Sequence, residues 1–175
     1  MASDVFPDVR WGRERPGLTK ILTAFASTRV GTWWIRTVTP LDRRLLERSD
    51  GRLTMFGPSG VQLLLLNHVG RKSGRPYTTP LVYVREDDRL YLIGSNFGRP
   101  EHPNWSTNIL ARPDCVVTMG GKDIPVTATL LGGDERQRIL EKFIDYVRTY
   151  NTYLHRTDRN LRIFEVRLRE DPAAQ

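Results

Sequence analysis

The segment Gly70-Arg71-Lys72-Ser73-Gly74-Arg75-Pro76 sets three cations and a hydroxyl between glycines, with no acid nearby. Glycines let a backbone turn its amides toward a ligand, and a nest of amides beside Lys and Arg suits phosphate or carboxylate. Arginine grips such an anion with two hydrogen bonds, whereas lysine acts as a point charge. The competing reading is an exposed basic hairpin loop. A Walker A loop is excluded, because the glycine spacing is wrong and the segment opens a strand rather than a helix.

A second segment runs Gly94-Ser95-Asn96-Phe97-Gly98-Arg99-Pro100, then Glu101-His102-Pro103-Asn104-Trp105. A serine at the end of a buried strand, with glycine and a tryptophan close behind, can cradle a flat ring. The same residues also read as a surface loop with a helix cap and a core tryptophan. The remaining candidates are bland. His68, His102 and His155 lack metal-ligand spacing, so no metal site is expected. Cys115 reads as a core thiol, Glu101-His102 as exposed loop residues, and no Gly-x-Ser-x-Gly elbow is present.

The elements around these segments follow from periodicity. Val61 to Val69 is an apolar run of strand length closed by Gly70. Thr78 to Arg85 and Leu90 to Gly94 are strands paired through an Asp87-Asp88 turn. A short helix is expected over Asn104 to Arg112. Strands at Cys115 to Met119 and Ile124 to Leu131 flank a Gly120-Gly121 turn. Asp134 to Tyr150 carries a helical stripe, and Phe164, Val166 and Leu168 alternate in a last strand. Hairpin-linked strands with one late helix predict a mainly β, antiparallel barrel with appended helices, not a doubly wound sheet.

The expected division is an N-terminal helical segment, 1–56, and a barrel domain, 57–175. Within the first, Leu18 to Val38 is helical in pattern, with Trp33 and Trp34 beside Arg29 and Arg36. Its apolar stripe is expected to pack on the barrel or on a second subunit, as in a homodimer. A helix peripheral to a lipid surface is the competing reading. The net charge of +7 divides as +4 over residues 1–56 and +3 over the remainder. Such an excess favours anionic partners, but no nucleic-acid motif accompanies it. A single cysteine excludes a disulfide framework. No secretory start or membrane-length apolar run is visible, so a cytoplasmic protein is expected.

Taken in order, Gly-Arg-Lys-Ser-Gly-Arg-Pro, Thr78-Thr79-Pro80-Leu81, Gly-Ser-Asn-Phe-Gly and Pro-Asn-Trp-x-x-Asn-Ile resemble the deazaflavin (F420)-dependent nitroreductase and quinone reductase family. The likeness runs from about Gln62 to Leu130, more loosely to the end. It implies a split β-barrel of flavin-reductase type that binds coenzyme F420 and reduces a quinone or nitro acceptor. Arg71, Lys72, Ser73 and Arg75 would then hold the cofactor's tail, and Thr78, Thr79 and Pro80 would run beside the ring. Ser95 falls near ring and substrate, with Gly98 in the same loop. Asn96 departs from a lysine found in related members, with Arg99 as a substitute cation. Trp105 matches a tryptophan near the site, and Tyr150 and Tyr153 match tyrosines on the substrate side. The open alternatives are an FMN-dependent reductase on the same barrel and a binding protein without turnover.

Overall fold

The computed structural model describes residues 6, 7, 62–147 and 149–169. Six strands, β1 (Leu63–Val69), β2 (Pro76–Glu86), β3 (Arg89–Ile93), β4 (Asp114–Met119), β5 (Lys122–Leu130) and β6 (Ile163–Leu168), are interrupted by three helices, α1 (Asn104–Ala111), α2 (Gly133–Tyr146) and α3 (Thr149–Leu154). The strands close an antiparallel barrel in the order β1-β2-β3-β6-β5-β4. This is the antiparallel barrel with appended helices expected from the hairpin pattern, the class of fold that the family resemblance also implies. Strand bounds differ from the sequence reading by only a residue or two at most ends.

Alternation along the strands makes the interior. Leu64 and Leu66, Leu90 and Leu92, Val117 and Met119, Val126 and Ala128, and Phe164 and Val166 all point into one buried cluster. On β3 and β6 the opposite face is buried too. Tyr91, Ile93 and Ile163 pack against Ile139, Leu140 and Phe143 of α2. That second cover explains why β3 reads as a nearly continuous apolar run from Leu90 to Ile93. Arg138 clamps α2 to β2 with two hydrogen bonds to Glu86, each 2.8 Å.

The expected helix from Asp134 to Tyr150 is two pieces. α2 ends at Tyr146, and Val147 is extended with φ −133 and ψ 94. Packing demands the break. In a straight helix Phe143 and Tyr150 would be separated by about 10 Å of rise. After the bend their rings meet edge to face at 5.6 Å.

Phe6 belongs to the interior cluster although its surroundings in sequence are polar. Its side chain is 0% exposed. Its carbonyl accepts a 2.7 Å hydrogen bond from Arg85 Nη1, close to the turn at Asp87. Phe6 therefore sits near the hairpin-turn end of the barrel, opposite α1. The helical segment expected at 18–38 lies outside the described residues. No helix among the described residues is long and apolar enough to cross a membrane.

Deleting the Phe6 ring should leave a cavity in the interior. Phe6→Ala is expected to lower unfolding free energy by about 3–5 kcal/mol, read by denaturant melts. An unchanged midpoint would show that the interior closes without it.

Candidate functional site

Antiparallel order sets the site's position. The β1–β2 loop, the segment after β3 and α1 fall at one end of the barrel, where α3 meets the segment after β3, whereas α2 runs along the outer face of β3 and β6 toward Glu86. The basic loop therefore shares an end with the Ser95 segment, which sequence alone left unconnected.

The loop from Gly70 to Arg75 is closed by its own backbone. Gly70 donates to the Arg75 carbonyl at 2.9 Å, and Gly74 donates to the Gly70 carbonyl at 2.8 Å. The Ser73 hydroxyl accepts from the Arg75 amide at 3.3 Å. Gly70 lets the loop fold close on itself: a Cβ there would lie 2.5 Å from Ser73 Oγ and 2.7 Å from the Tyr77 ring, so both exposed side chains would have to shift. Arg71, Lys72 and Arg75 are exposed and form no ion pair among the described residues. Three cations without a counter-ion among the described residues suit an anionic ligand.

Behind the loop, polar side chains run in two lines that sequence reasoning did not assign. One links Thr78 to Asn67 at 2.7 Å, Asn67 to Thr118 at 2.8 Å, and Thr118 to Asp123 at 2.5 Å. The other joins Thr79, His68, Asn108 and the Arg71 amide. Thr78 and Thr79 thus serve different faces of β2, with Pro80 half-buried beside them. His68 also stacks on Tyr77, with ring centroids 5.9 Å apart. A polar residue between Trp105 and Ile109 on the inward stripe of α1 was the available signal for Asn108.

The Ser95 segment is strained and tied down. Asn96, Phe97 and Gly98 are consecutive left-handed residues, with φ of 47, 56 and 73. Such a conformation is uncommon for a bulky residue and costs of order 1–3 kcal/mol. Gly98 is needed there because a Cβ would lie 2.8 Å from Arg156 Cβ and 2.9 Å from the Tyr153 carbonyl. Its role in this structure is a close approach to α3. Asn96 braces the loop by donating to the Glu101 carbonyl at 2.8 Å. The Ser95 hydroxyl is half-buried and has no partner among the described residues.

Arg159 holds this segment. Its guanidinium donates to the carbonyls of Ser95 at 2.6 Å, Arg99 at 2.8 Å and Gly94 at 3.0 Å. It also donates to His102 Nδ1 at 3.1 Å, so His102 carries its neutral proton on Nε2. Burial holds His102 below the ordinary histidine range, and the charges of Arg162 and Arg159 push the same way. No feature of the local pattern marked Arg159, which reaches the loop only through the fold.

Trp105 is buried in the barrel interior, tilted against Phe164 at 5.7 Å. Tyr150 and Tyr153 lie in the second cluster, 6.0 Å apart and edge to face, with Phe97 against Tyr153. Burial, then Tyr153 and Tyr146, raises the Tyr150 phenol. Burial also raises Tyr153, against the opposing charge of Arg156. Both therefore keep their protons at neutral pH and can only donate or accept hydrogen bonds. Cys115 is a core thiol pushed up to about 12, chiefly by burial. Among the described residues no group of side chains could hold a metal ion.

Residues 34–167 match the family described as F420H(2)-dependent quinone reductase. A Mycobacterium tuberculosis relative that bears this family's name is 30% identical over 62% of this chain and 92% of its own. An F420H(2)-dependent quinone reductase of the same organism is 36% identical over 46% of this chain, an alignment that spans 54% of that relative. A solved structure described as an F420-H2 dependent reductase superposes with a TM-score of 0.55 at 33% identity, covering 59% of this chain and 92% of that one. A second, described as a domain-swapped dimer, gives a TM-score of 0.56 at 32% identity, covering 77% and 98%.

The depressed His102 gives the Ser95 segment a pH dependence. Above about pH 6.5 the ring is neutral in both folded and unfolded chains. Below that, the unfolded chain takes up a proton that the folded loop resists, so stability falls with pH until the folded ring also protonates. His102→Gln keeps an acceptor for Arg159 but does not titrate. Its thermal midpoint should fall less than the parent's between pH 7.5 and pH 5, and equal falls would remove His102 as the cause.

Proposed function

Because the chain belongs to the F420H(2)-dependent quinone reductase family, we propose that it transfers a hydride from reduced F420 to a quinone or a similar electron-poor acceptor such as a nitro compound. The observation that carries this reading is that the Gly70–Arg75 loop, with three cations that form no ion pair among the described residues, shares an end of the barrel with the Ser95 hydroxyl, which has no partner among them. The loop also fits the cofactor's anionic tail in its backbone, since the Lys72 and Ser73 amides have no acceptor among the described residues.

Bound F420 in its reduced form supplies the hydride and the ring chemistry. The chain's own part is grip, orientation and charge stabilisation. Arg71 and Arg75 can clasp phosphate or carboxylate oxygens with paired hydrogen bonds, and Lys72 adds a point charge. Thr78, Thr79 and Pro80 present one strand beside the ring. The acceptor oxygen gains negative charge as it is reduced, and a fixed hydroxyl donor stabilises it. Ser95 fits that task best, because its backbone is clamped by Arg159 while its hydroxyl has no partner among the described residues. Tyr150 and Tyr153, protonated and packed, line the same end as further donors. Asn96 is engaged with Glu101, so Arg99, exposed on the same loop, stands as the added cation for the tail. A homodimer is supported by the likeness to a domain-swapped dimer.

Replacing both Arg71 and Lys72 by Ala is expected to weaken F420 binding roughly tenfold or more and to flatten its salt dependence. Titration with F420 and with FMN, followed by absorbance, checks this. Preference for FMN, or F420 affinity unchanged in the double variant, would refute the tail assignment.

Ser95→Ala should lower turnover with a quinone acceptor about a hundredfold while F420 affinity holds. Tyr150→Phe should lower it less, because its phenol is packed in an aromatic cluster. Full turnover in both variants would move acceptor stabilisation elsewhere.

A further inference from the structure

The line of polar atoms behind the basic loop has a direction. The Arg71 backbone N–H can only donate, and it meets Asn108 Oδ1 at 3.1 Å. That fixes the carboxamide, so Asn108 Nδ2 faces His68 Nδ1 at 3.2 Å and must donate to it. His68 Nδ1 is then the acceptor, and its Nε2–H donates to Thr79 Oγ1 at 3.1 Å. Each donor leads to the next acceptor, from the loop, through α1 and β1, to β2. Asn108 and His68 are both buried at 6% exposure. A reversed amide there would face donor to donor at the loop, a buried mismatch that costs about 1–3 kcal/mol.

We propose that Asn108 and His68 are positioning residues that preset the Gly70–Arg75 loop for the cofactor's anionic tail. Their polar atoms are engaged with the loop amide, with each other and with Thr79. Asn108 holds the Arg71 amide in the barrel's frame, and His68 fixes which end of the Asn108 carboxamide the loop meets. Without that anchor the loop keeps its internal hydrogen bonds but loses its docking to α1. The entropy of orienting Arg71 and Lys72 is then borne at each binding event. Thr79, at the far end, ties the same line to the strand expected beside the ring.

This inference rests on the tail-loop reading above, and the experiment separates the two. The probes are F420 and the bare deazaflavin chromophore without its tail. The parent should bind F420 more tightly than the chromophore. Asn108→Leu should lose roughly five- to a hundredfold for F420, shown also as a raised KM for reduced F420 with little change in kcat, and nothing for the chromophore. His68→Phe keeps a ring against Tyr77 but removes both nitrogens. It should show the same selective loss at smaller size, because the Asn108 amide can then adopt either orientation. In the unliganded parent, nitrogen–proton correlation spectra at neutral pH should show His68 protonated on Nε2 alone. Equal losses for both ligands, no loss for either, or a proton on Nδ1 would overturn the proposal. A parent indifferent to the tail would overturn the tail-loop reading and this inference with it. Tail preference in the parent with unchanged affinities in both variants would overturn only the inference.

Discussion

Burying a polar group without a partner costs more than most single contacts return, and that cost organises the α1 end of the barrel. α1 must turn an apolar stripe inward to cover the interior, yet it also brings Asn108 and Ser106 below the surface. Their partners come from β1, from the loop and from the segment before β6. Asn108 finds His68 and the Arg71 amide, and Ser106 donates to the Pro103 carbonyl at 2.8 Å. Arg162 reaches Thr107 Oγ1 at 3.1 Å from the far side of the barrel. Satisfying these groups docks the basic loop, α1 and the Ser95 segment against one another, so the chemistry inherits its geometry from hydrogen-bond completion.

The barrel supplies the rigid frame for this arrangement. A closed antiparallel sheet leaves no free edge, and interior packing fixes the register of each strand. β1 shows the consequence. Leu64 and Leu66 face the interior, so His68 lies on the inner side beneath α1 and Asn67 on the outer side, facing Thr78. A slip of one residue would exchange the two polar lines and disconnect the loop from α1.

The Ser95 segment is held by opposing demands. Its left-handed residues are costly, and three carbonyls turned toward Arg159 offset that cost. Phe97 is kept in place by Tyr153, and Gly98 by the approach of α3. The two tyrosines of α3 therefore support the loop whatever else they touch. A strained loop fixed by charge and aromatic packing keeps Ser95 in place without a bond from its hydroxyl to any other described residue.

Much of this was legible in the residues themselves. Alternating apolar positions and tight turns gave six strands and their hairpins, because side-chain direction in a strand depends only on local parity. The unbroken run of cations between glycines marked the basic loop, because charge and backbone freedom are properties of the residues alone. Other features had no local signature. Phe6 lies in a polar stretch and enters the interior only because the barrel has an end there to fill. The expected helix through Tyr150 breaks at Val147 because Tyr150 must return to Phe143, a demand made by packing across elements. Arg159 reads as one arginine among many until the fold brings three carbonyls to it. Asn108 and His68 stand 40 positions apart, and only closure of the barrel makes them neighbours. Residue type and period are local, whereas hydrogen-bond partners of buried groups are decided by which strands and helices the closed sheet brings together.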